Sequence, residues 1–346
     1  MTTLDNAPTV VGGVDTHLDV HVAAALDHVG GLLGTRSFPT TLKGHGQLLA
    51  WLEGYGTPTR VGVEGTGAYG AGVARHLRRH GVEVVEVDRP NRQARRREGK
   101  SDPLDAVEAA RAALSGRASG AAKSRDGSVE AMRVLLVARR SATRDRARAI
   151  CRMRHLGFTA PDELRARLQG LSIPRLVEVA TRLRPGAGDP VTASTKAALV
   201  SLARRVRCLE DEIVALDARL VPLVGATAPR LLARLGVGTV TCATLLVAAG
   251  DNPERLRSEA AFAHLCGVAP IPASSGKVVS RHRLNRGGNR QANSALWRIV
   301  VVRLSCDPET KAYVERREKE GASRREAIRS LKRYVAREVF HYLPRA

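Results

Sequence analysis

"TVVGGVDTHLDVHVAAALDHVGGLLGTRSFPT" (residues 9–40) consists of apolar, β-branched runs broken by Gly-Gly and Gly-Thr turns, a pattern that predicts three successive strands joined as hairpins. The period then changes. Residues 41–56, "TLKGHGQLLAWLEGYG", read as a helix, and residues 60–67, "RVGVEGTG", as a buried strand. Residues 69–81, "YGAGVARHLRRHG", read as a helix closed by Gly81, and residues 82–87, "VEVVEV", as another strand. The order βββαβαβ, in which hairpins feed βα units, predicts a mixed sheet with helices on its faces. The RNase H-like fold has this order, although propensity alone does not select it over other α/β folds.

The chain has 346 residues and a mass of 37.1 kDa, a size that suggests two or three units. Its formal net charge is +22 and its pI about 11.0, a surplus that attracts polyanions through phosphate contacts and counterion release. Nucleic acid is the leading partner. A membrane is not expected: there is no apolar run of about 18 residues and no cationic-then-apolar N-terminal signal, so a cytoplasmic location is the expectation. The charge is uneven. Residues 1–70 hold six acids and three bases, whereas residues 277–346 hold eighteen bases and seven acids. The five cysteines, Cys151, Cys208, Cys242, Cys266 and Cys306, are too far apart for a CxxC metal knuckle and are expected to be reduced, mostly buried thiols. Only eleven aromatic residues are present, which shifts the expected binding mode from base stacking to backbone contacts.

From about residue 125 strand signals nearly vanish. Residues 128–156 read as a long helix in which Arg133 to Arg154 includes eight arginines and one acid, Asp145. A second helix carries Leu199, Leu202, Val206, Leu209, Ile213, Leu216 and Leu220 at alternating spacings of three and four, a heptad seam that predicts coiled-coil pairing within the chain or between subunits. After Pro222, residues 231–250 read as two apolar helices about a Gly-Val-Gly turn. This is a helix-hairpin-helix-like element in which Gly236 and Gly238 could expose backbone N–H groups to a phosphate; a plain αα-hairpin is the other reading. The domains expected are 8–124, a helical coiled-coil segment 125–224, and a mainly helical C-terminal domain 225–346.

Four acids stand out. Asp15 ends the first strand, Glu64 ends a later one, and Asp102 and Asp105 in "GKSDPLDAVEAAR" share one helix face. If the first and fourth strands are neighbours, Asp15 and Glu64 emerge side by side. Four converging carboxylates repel unless divalent cations neutralise them. Oxygen ligation suits Mg²⁺ or Mn²⁺, and two such ions support in-line phosphoryl transfer. Each acid also has a structural reading: Asp102, Pro103 and Asp105 as N-cap, N1 and N3 of a helix, Asp15 and Glu64 as strand-end turn formers. An acidic centre in a very basic protein is what a nuclease or strand-transferase needs, because the cations hold DNA while the acids hold metal.

Together, "GVDTHLDVHVAAALD", "VEGTGAYG", "KSDPLDAVEAAR", the Gly-Val-Gly hairpin and "GVAPIPASSGKVVSRHRLNRGGNRQAN" resemble the DEDD-type insertion-sequence transposases, also called bridge-RNA-guided recombinases, from about residue 10 to residue 342. The resemblance implies a RuvC-like domain of RNase H fold whose metal-binding acids match Asp15, Glu64, Asp102 and Asp105. It also implies a C-terminal transposase domain whose catalytic serine matches Ser275, with Ser274 as the alternative. Double-stranded donor and target DNA, a structured guide RNA and a homo-oligomer, dimer or tetramer, are the partners implied.

Residues 269–293, "APIPASSGKVVSRHRLNRGGNRQAN", show neither helical nor strand periodicity. A serine hydroxyl there can attack a phosphodiester and preserve the bond energy for rejoining, while Gly276 permits close approach and Lys277, Arg281, Arg283, Arg286 and Arg290 neutralise phosphates. A flexible basic loop without chemistry is the bland reading. Two rival functions are a Holliday-junction resolvase, with the same acids and water as nucleophile, and an actin-like kinase, whose phosphate loop wants glycine where Thr16 stands. A purely structural nucleic-acid-binding protein accounts for the charge and leaves the acids unexplained.

Overall fold

The computed structural model describes residues 8–87, 101–118, 120, 122–186, 189–252, 256–272, 282–284 and 287–344. The chain divides into two compact units, one of Met1–Gly127 with Ala249–Arg257 and one of Ser128–Ala248 with Ser258–Pro344.

The first unit is a mixed α/β layer structure. Strands β1 (Thr9–Thr16), β2 (Val20–Leu26) and β3 (Leu32–Pro39) form antiparallel hairpins. The helix α1 (Leu42–Glu53) leads to β4 (Thr57–Glu64), and α2 (Ala71–Arg79) to β5 (Glu83–Val87). The sheet order is β3-β2-β1-β4-β5, with β1, β4 and β5 parallel. Asp27 closes the β2–β3 turn: its Oδ1 accepts from the N–H groups of Val29 and Gly31 at 2.9 and 2.8 Å, with Gly30 at φ 94°.

Alternation along β1 sorts the core. Val10 and Val14 face α1 and α2 in a cluster with Leu48, Leu52, Val73 and Leu77. Val11 lies on the other face, in a cluster with Ala109 and Ala113 of α3 (Asp102–Leu114). Of the glycine pairs expected as turns, Gly30-Gly31 lies between β2 and β3, whereas Gly34-Thr35 lies inside β3, as Gly12-Gly13 lies inside β1. Inside a strand such glycines report close approach instead. A Cβ on Gly13 would stand 2.1 Å from the Ala106 carbonyl oxygen and 2.2 Å from the Ala110 nitrogen, and one on Gly62 would stand 2.4 Å from the Ala109 carbonyl oxygen. The α3 backbone therefore rests directly on β1 and β4.

The second unit is helical. Its spine is an antiparallel pair, α4 (Ser128–Phe158) and α7 (Pro190–Thr227), with α5 (Asp162–Leu168) and α6 (Ile173–Thr181) capping one end. Leu199, Val206 and Leu220 of the seam are fully buried; Leu202, Leu209, Ile213 and Leu216 are half-buried. Two charged rungs fix the register. Arg139 donates to both Asp217 carboxylate oxygens at 2.5 and 2.9 Å, and Arg146 Nε to Glu210 at 2.8 Å. The seam helix thus pairs within the chain, and it continues past Pro222 to Thr227, across the expected boundary at 224/225. After it come α8 (Pro229–Leu232), α9 (Thr239–Ala249), α10 (Glu259–Leu265), β6 (Pro270–Pro272), β7 (His282–Leu284), α11 (Arg290–Cys306), α12 (Pro308–Lys319) and α13 (Arg324–Tyr342). The β6–β7 pair corrects the expectation of no strand in 269–293. Pro270 and Pro272 hide it, since neither carries an N–H for the ladder, while Ile271 between them pairs with Arg283. Three of the five cysteines, Cys151, Cys208 and Cys306, are exposed on helices and not buried as expected, because the buried stripes of α4, α7 and α11 run through other positions; Cys242 and Cys266 are buried, which pushes their thiols up to about 12.

A row of histidines crosses the layer of α1 and α2. His21 of β2 stacks on His45 of α1 with ring centroids 5.6 Å apart, and tilted ring contacts continue from His45 to His76 of α2 at 6.0 Å and from His76 to His80 at 4.4 Å. Both ring nitrogens of His21, and Nε2 of His45 and His76, are buried without a hydrogen-bond partner. Burial, then the neighbouring His45 and His17, lowers His21 to about 4; burial and nearby cations, including Arg75 and Arg79, lower His45 and His76. Because the folded state resists protonation more than the unfolded chain, this stability is fully present above the ordinary histidine value and is lost as pH falls towards 4. In chelator-treated protein, denaturant midpoints between pH 7 and pH 4.5 should fall more steeply for the wild type than for His21→Leu; parallel profiles would exclude this origin.

Candidate active site

The carboxyl ends of parallel strands are where open α/β sheets place ligands. In the β1–β4 register Val14 pairs with Val63, so Asp15 and Glu64 come next at adjacent strand ends. Thr16 Oγ1 donates to the Glu64 carbonyl oxygen at 2.8 Å and ties the two ends together. The chain then turns away through Gly65 at φ 66°.

Helix α3 brings the other two acids. Its N-cap is Ser101, in extended conformation, so Asp102 is the first helical residue and Pro103 the second; the reading of Asp102 as N-cap is one residue out of register. Asp102 and Asp105 lie in the first turn, where the helix dipole favours negative charge. The glycine-permitted contact between α3 and β1 sets this turn beside Asp15. Asp105 and Asp15 are buried, at 5% and 6% exposure. Burial pushes the Asp15 carboxyl above its ordinary range; His17 pulls it back, and Asp105 and Asp102 push it further up.

His17 is the residue that sequence reading missed. Its Nε2 lies 3.1 Å from Asp15 Oδ2 and 3.5 Å from Asp102 Oδ1, and one ligand atom from each of the three residues lies within 4.8 Å of the others. The signal available was its place two residues after Asp15, just past the strand end. A buried carboxylate beside a second carboxylate and an imidazole is a donor set that fits a divalent cation.

Of the serine segment, Ser274, Ser275, Gly276, Lys277, Arg281 and Arg286 lie outside the described residues. Arg283 belongs to β7, and Arg290 is the exposed first residue of α11. The flanks of the segment are tied together. Asn289 N donates to the Leu265 carbonyl at 2.6 Å, and its side chain caps α11 through the N–H groups of Gln291 and Ala292. Gly288, at φ 99°, packs so closely that a Cβ would stand 2.7 Å from Gly267 N. Asn293 Nδ2 donates to the Cys266 and Gly267 carbonyls at 3.0 Å each, and buried Lys332 Nζ donates to Asn293 Oδ1 at 2.9 Å. Gly236 adopts φ 80° against Ile299 of α11, while the Gly238 carbonyl accepts from Cys242 N at 2.8 Å.

Comparison with known proteins then decides the family. A DEDD-type IS110 model, described as a transposase, matches residues 12–156, and a second, the transposase IS116/IS110/IS902 family, matches residues 228–315. The chain belongs to the DEDD-type insertion-sequence transposase family. The first match takes in Asp15, His17, Glu64, Asp102 and Asp105, and the second takes in the serine segment. Among relatives, the chain is 30% identical over 180 residues to the insertion element IS110 uncharacterized 43.6 kDa protein of Streptomyces coelicolor, covering 49% of this chain and 44% of that one. It is 28% identical over 134 residues to the insertion element IS900 uncharacterized 42 kDa protein of Mycobacterium paratuberculosis, covering 38% and 34%. The chain thus spans less than half the length of each curated relative it matches.

The ties flanking the transposase serine segment can be tested by Asn293→Ala, which strips Lys332 of its partner; leaving such a buried group unpaired costs roughly 1–3 kcal/mol. Hydrogen exchange followed by mass spectrometry should show peptides spanning 262–272 and 287–296 exchanging at least about tenfold faster, with the spine helices α4 and α7 unchanged. Unchanged exchange in the flanking peptides would show that Asn293 does not hold them.

Proposed function

We propose that the chain is a DNA transposase that cuts and rejoins double-stranded donor and target DNA, with Ser275 as nucleophile and the carboxylate centre as its metal site. The observation that carries this reading is the assembly of Asp15, His17 and Asp102 at a parallel-strand end in a chain of net charge +22. Family membership implies dependence on divalent metal; Mg²⁺ or Mn²⁺, as two ions, is the identity proposed here. Antiparallel β3-β2-β1 continued by parallel β1-β4-β5 supports an RNase H-like, RuvC-like assignment for residues 8–124. Residues 125–224 are assigned as the helical segment and 225–346 as the transposase domain.

The bound cations would supply neutralisation of charge on the attacked phosphate. Asp15, Glu64, Asp102 and Asp105 would hold them. Ser275 Oγ forms the new bond to phosphorus as the bond from phosphorus to the departing sugar oxygen breaks; the serine proton passes to a base, and the departing oxygen takes one up. Rejoining reverses these steps on the new partner, so the phosphoserine conserves the bond energy. Lys277, Arg281, Arg283, Arg286 and Arg290 neutralise flanking phosphates. Exposed Arg144, Arg152 and Arg154 of α4 are assigned to a structured guide RNA, since Arg139 and Arg146 already serve α7. A homo-oligomer acting in the cytoplasm completes the proposal; among the described residues no helix is long and apolar enough to cross a membrane.

A nicked double-stranded substrate that traps the covalent complex tests the chemistry. Glu64→Ala and Asp102→Ala should each lower strand cleavage by on the order of a hundredfold or more while nucleic-acid binding persists. Ser275→Ala should abolish the protein–DNA adduct, with Ser274→Ala milder. DNA mapped by mass spectrometry to Ser274 or a tyrosine would overturn Ser275, and cleavage without any adduct would favour the resolvase-like reading with water as nucleophile.

A further inference from the structure

The acids of the centre account for its charge but not for its nitrogen. His17 stands two residues past Asp15 and turns its Nε2 between β1 and α3, 3.1 Å from Asp15 Oδ2 and 3.5 Å from Asp102 Oδ1. One imidazole nitrogen carries either one hydrogen or one lone pair, so it cannot serve both carboxylates equally as a donor. The 3.1 Å contact is an ordinary hydrogen bond, whereas 3.5 Å is too long for a good one. Both separations suit ligands that share a cation. In an octahedral set with bonds near 2.1 Å, adjacent ligand atoms stand about 3.0 Å apart, close to the two separations of Nε2, and all three atoms lie within 4.8 Å of one another.

The chemistry of the set has a consequence for the ion it takes. A site of carboxylates alone suits Mg²⁺, which prefers oxygen and near-ideal octahedral geometry, while imidazole suits transition metals. Asp15 and Asp105 are buried, so a cation held there would be partly shielded from water.

We propose that His17 Nε2 is a direct ligand of the divalent cation held by Asp15 and Asp102, and that this nitrogen makes the centre prefer Mn²⁺ to Mg²⁺. The proposal rests on the reading of this centre as a metal site, and it adds a ligand outside the four acids.

The test uses the full chain, stripped with chelator and loaded with one equivalent of Mn²⁺, and it needs no DNA. Electron spin echo envelope modulation should show coupling to a directly bound ¹⁴N in the wild type, replaced by the ¹⁵N pattern after histidine labelling and lost in His17→Ala. Calorimetric titration should show the Mn²⁺-to-Mg²⁺ affinity ratio falling at least about tenfold in His17→Ala, a discrimination of about 1.4 kcal/mol. Bound Mn²⁺ without nitrogen coupling, or coupling that survives His17→Ala, overturns the role of His17 and leaves the carboxylate centre standing. Failure of Mn²⁺ to bind the wild type, or binding undiminished in an Asp15→Asn, Asp102→Asn double variant, overturns the metal centre and the ligand together.

Discussion

The backbone of one helix lying against two glycines is the constraint on which the first unit depends. Gly13 and Gly62 sit on neighbouring parallel strands, and each leaves a gap that a methyl group would close onto an α3 backbone atom. Side chains ordinarily hold packed layers apart, stacked sheets by about 10 Å. Their absence at these points lets α3 settle onto β1 and β4, and the small residues Ala106, Ala109, Ala110 and Ala113 complete the fit. The first turn of α3 is thereby carried to the strand ends, where Asp15 already stands. An acid on a strand and two acids on a helix, far apart in sequence, become one electrostatic object. Burial, and to a smaller extent the neighbouring Asp105 and Asp102, push the Asp15 carboxyl upward.

The second unit is held together differently. Its long pair, α4 and α7, is joined by a seam whose ends are fully buried and whose middle is half-exposed, and two arginine–carboxylate rungs cross between the helices. These rungs set two arginines of α4 apart from those that face solvent. Arg139 and Arg146 fix the register of the pair, and their charge is neutralised locally. Arg144, Arg152 and Arg154 point to solvent and contribute to the long-range positive field that the composition announces. Net charge alone could not separate the two. In the same unit the flanks of the serine segment are closed by backbone hydrogen bonds and by one asparagine amide backed by a buried lysine, a polar arrangement within an otherwise apolar packing of α10, α11 and α13.

Much of this was legible in the sequence, for local reasons. Alternating apolar residues dictate which strand faces are buried, turn residues such as Asp27 and Gly30 end strands, and the spacing from Leu199 to Leu220 dictates one apolar stripe on one helix. These are properties of a few consecutive residues, so the order of strands and helices in the first unit and the helical character of the second could be read directly. Acids that end strands, and acids three apart at a helix start, were visible on the same terms.

What only the tertiary structure decided involves residues that meet from distant parts of the chain. Gly34-Thr35 looks like a turn and lies inside a strand, because a glycine's φ freedom and its lack of a side chain leave the same mark in a sequence; at Gly13 the neighbours show that it is the missing Cβ that matters. His17 acquires its meaning from Asp102, which local pattern does not connect to it. The row of His21, His45 and His76 is assembled by a strand and two helices, none of which individually calls for a buried imidazole. The β6–β7 pair is disguised by prolines that supply no ladder donors, and it exists because cross-strand partners align. The sequence by itself determined the elements and the chemical groups they carry; the close approach of elements decided which groups share a site, because distance between side chains is a property of packing that local periodicity does not encode.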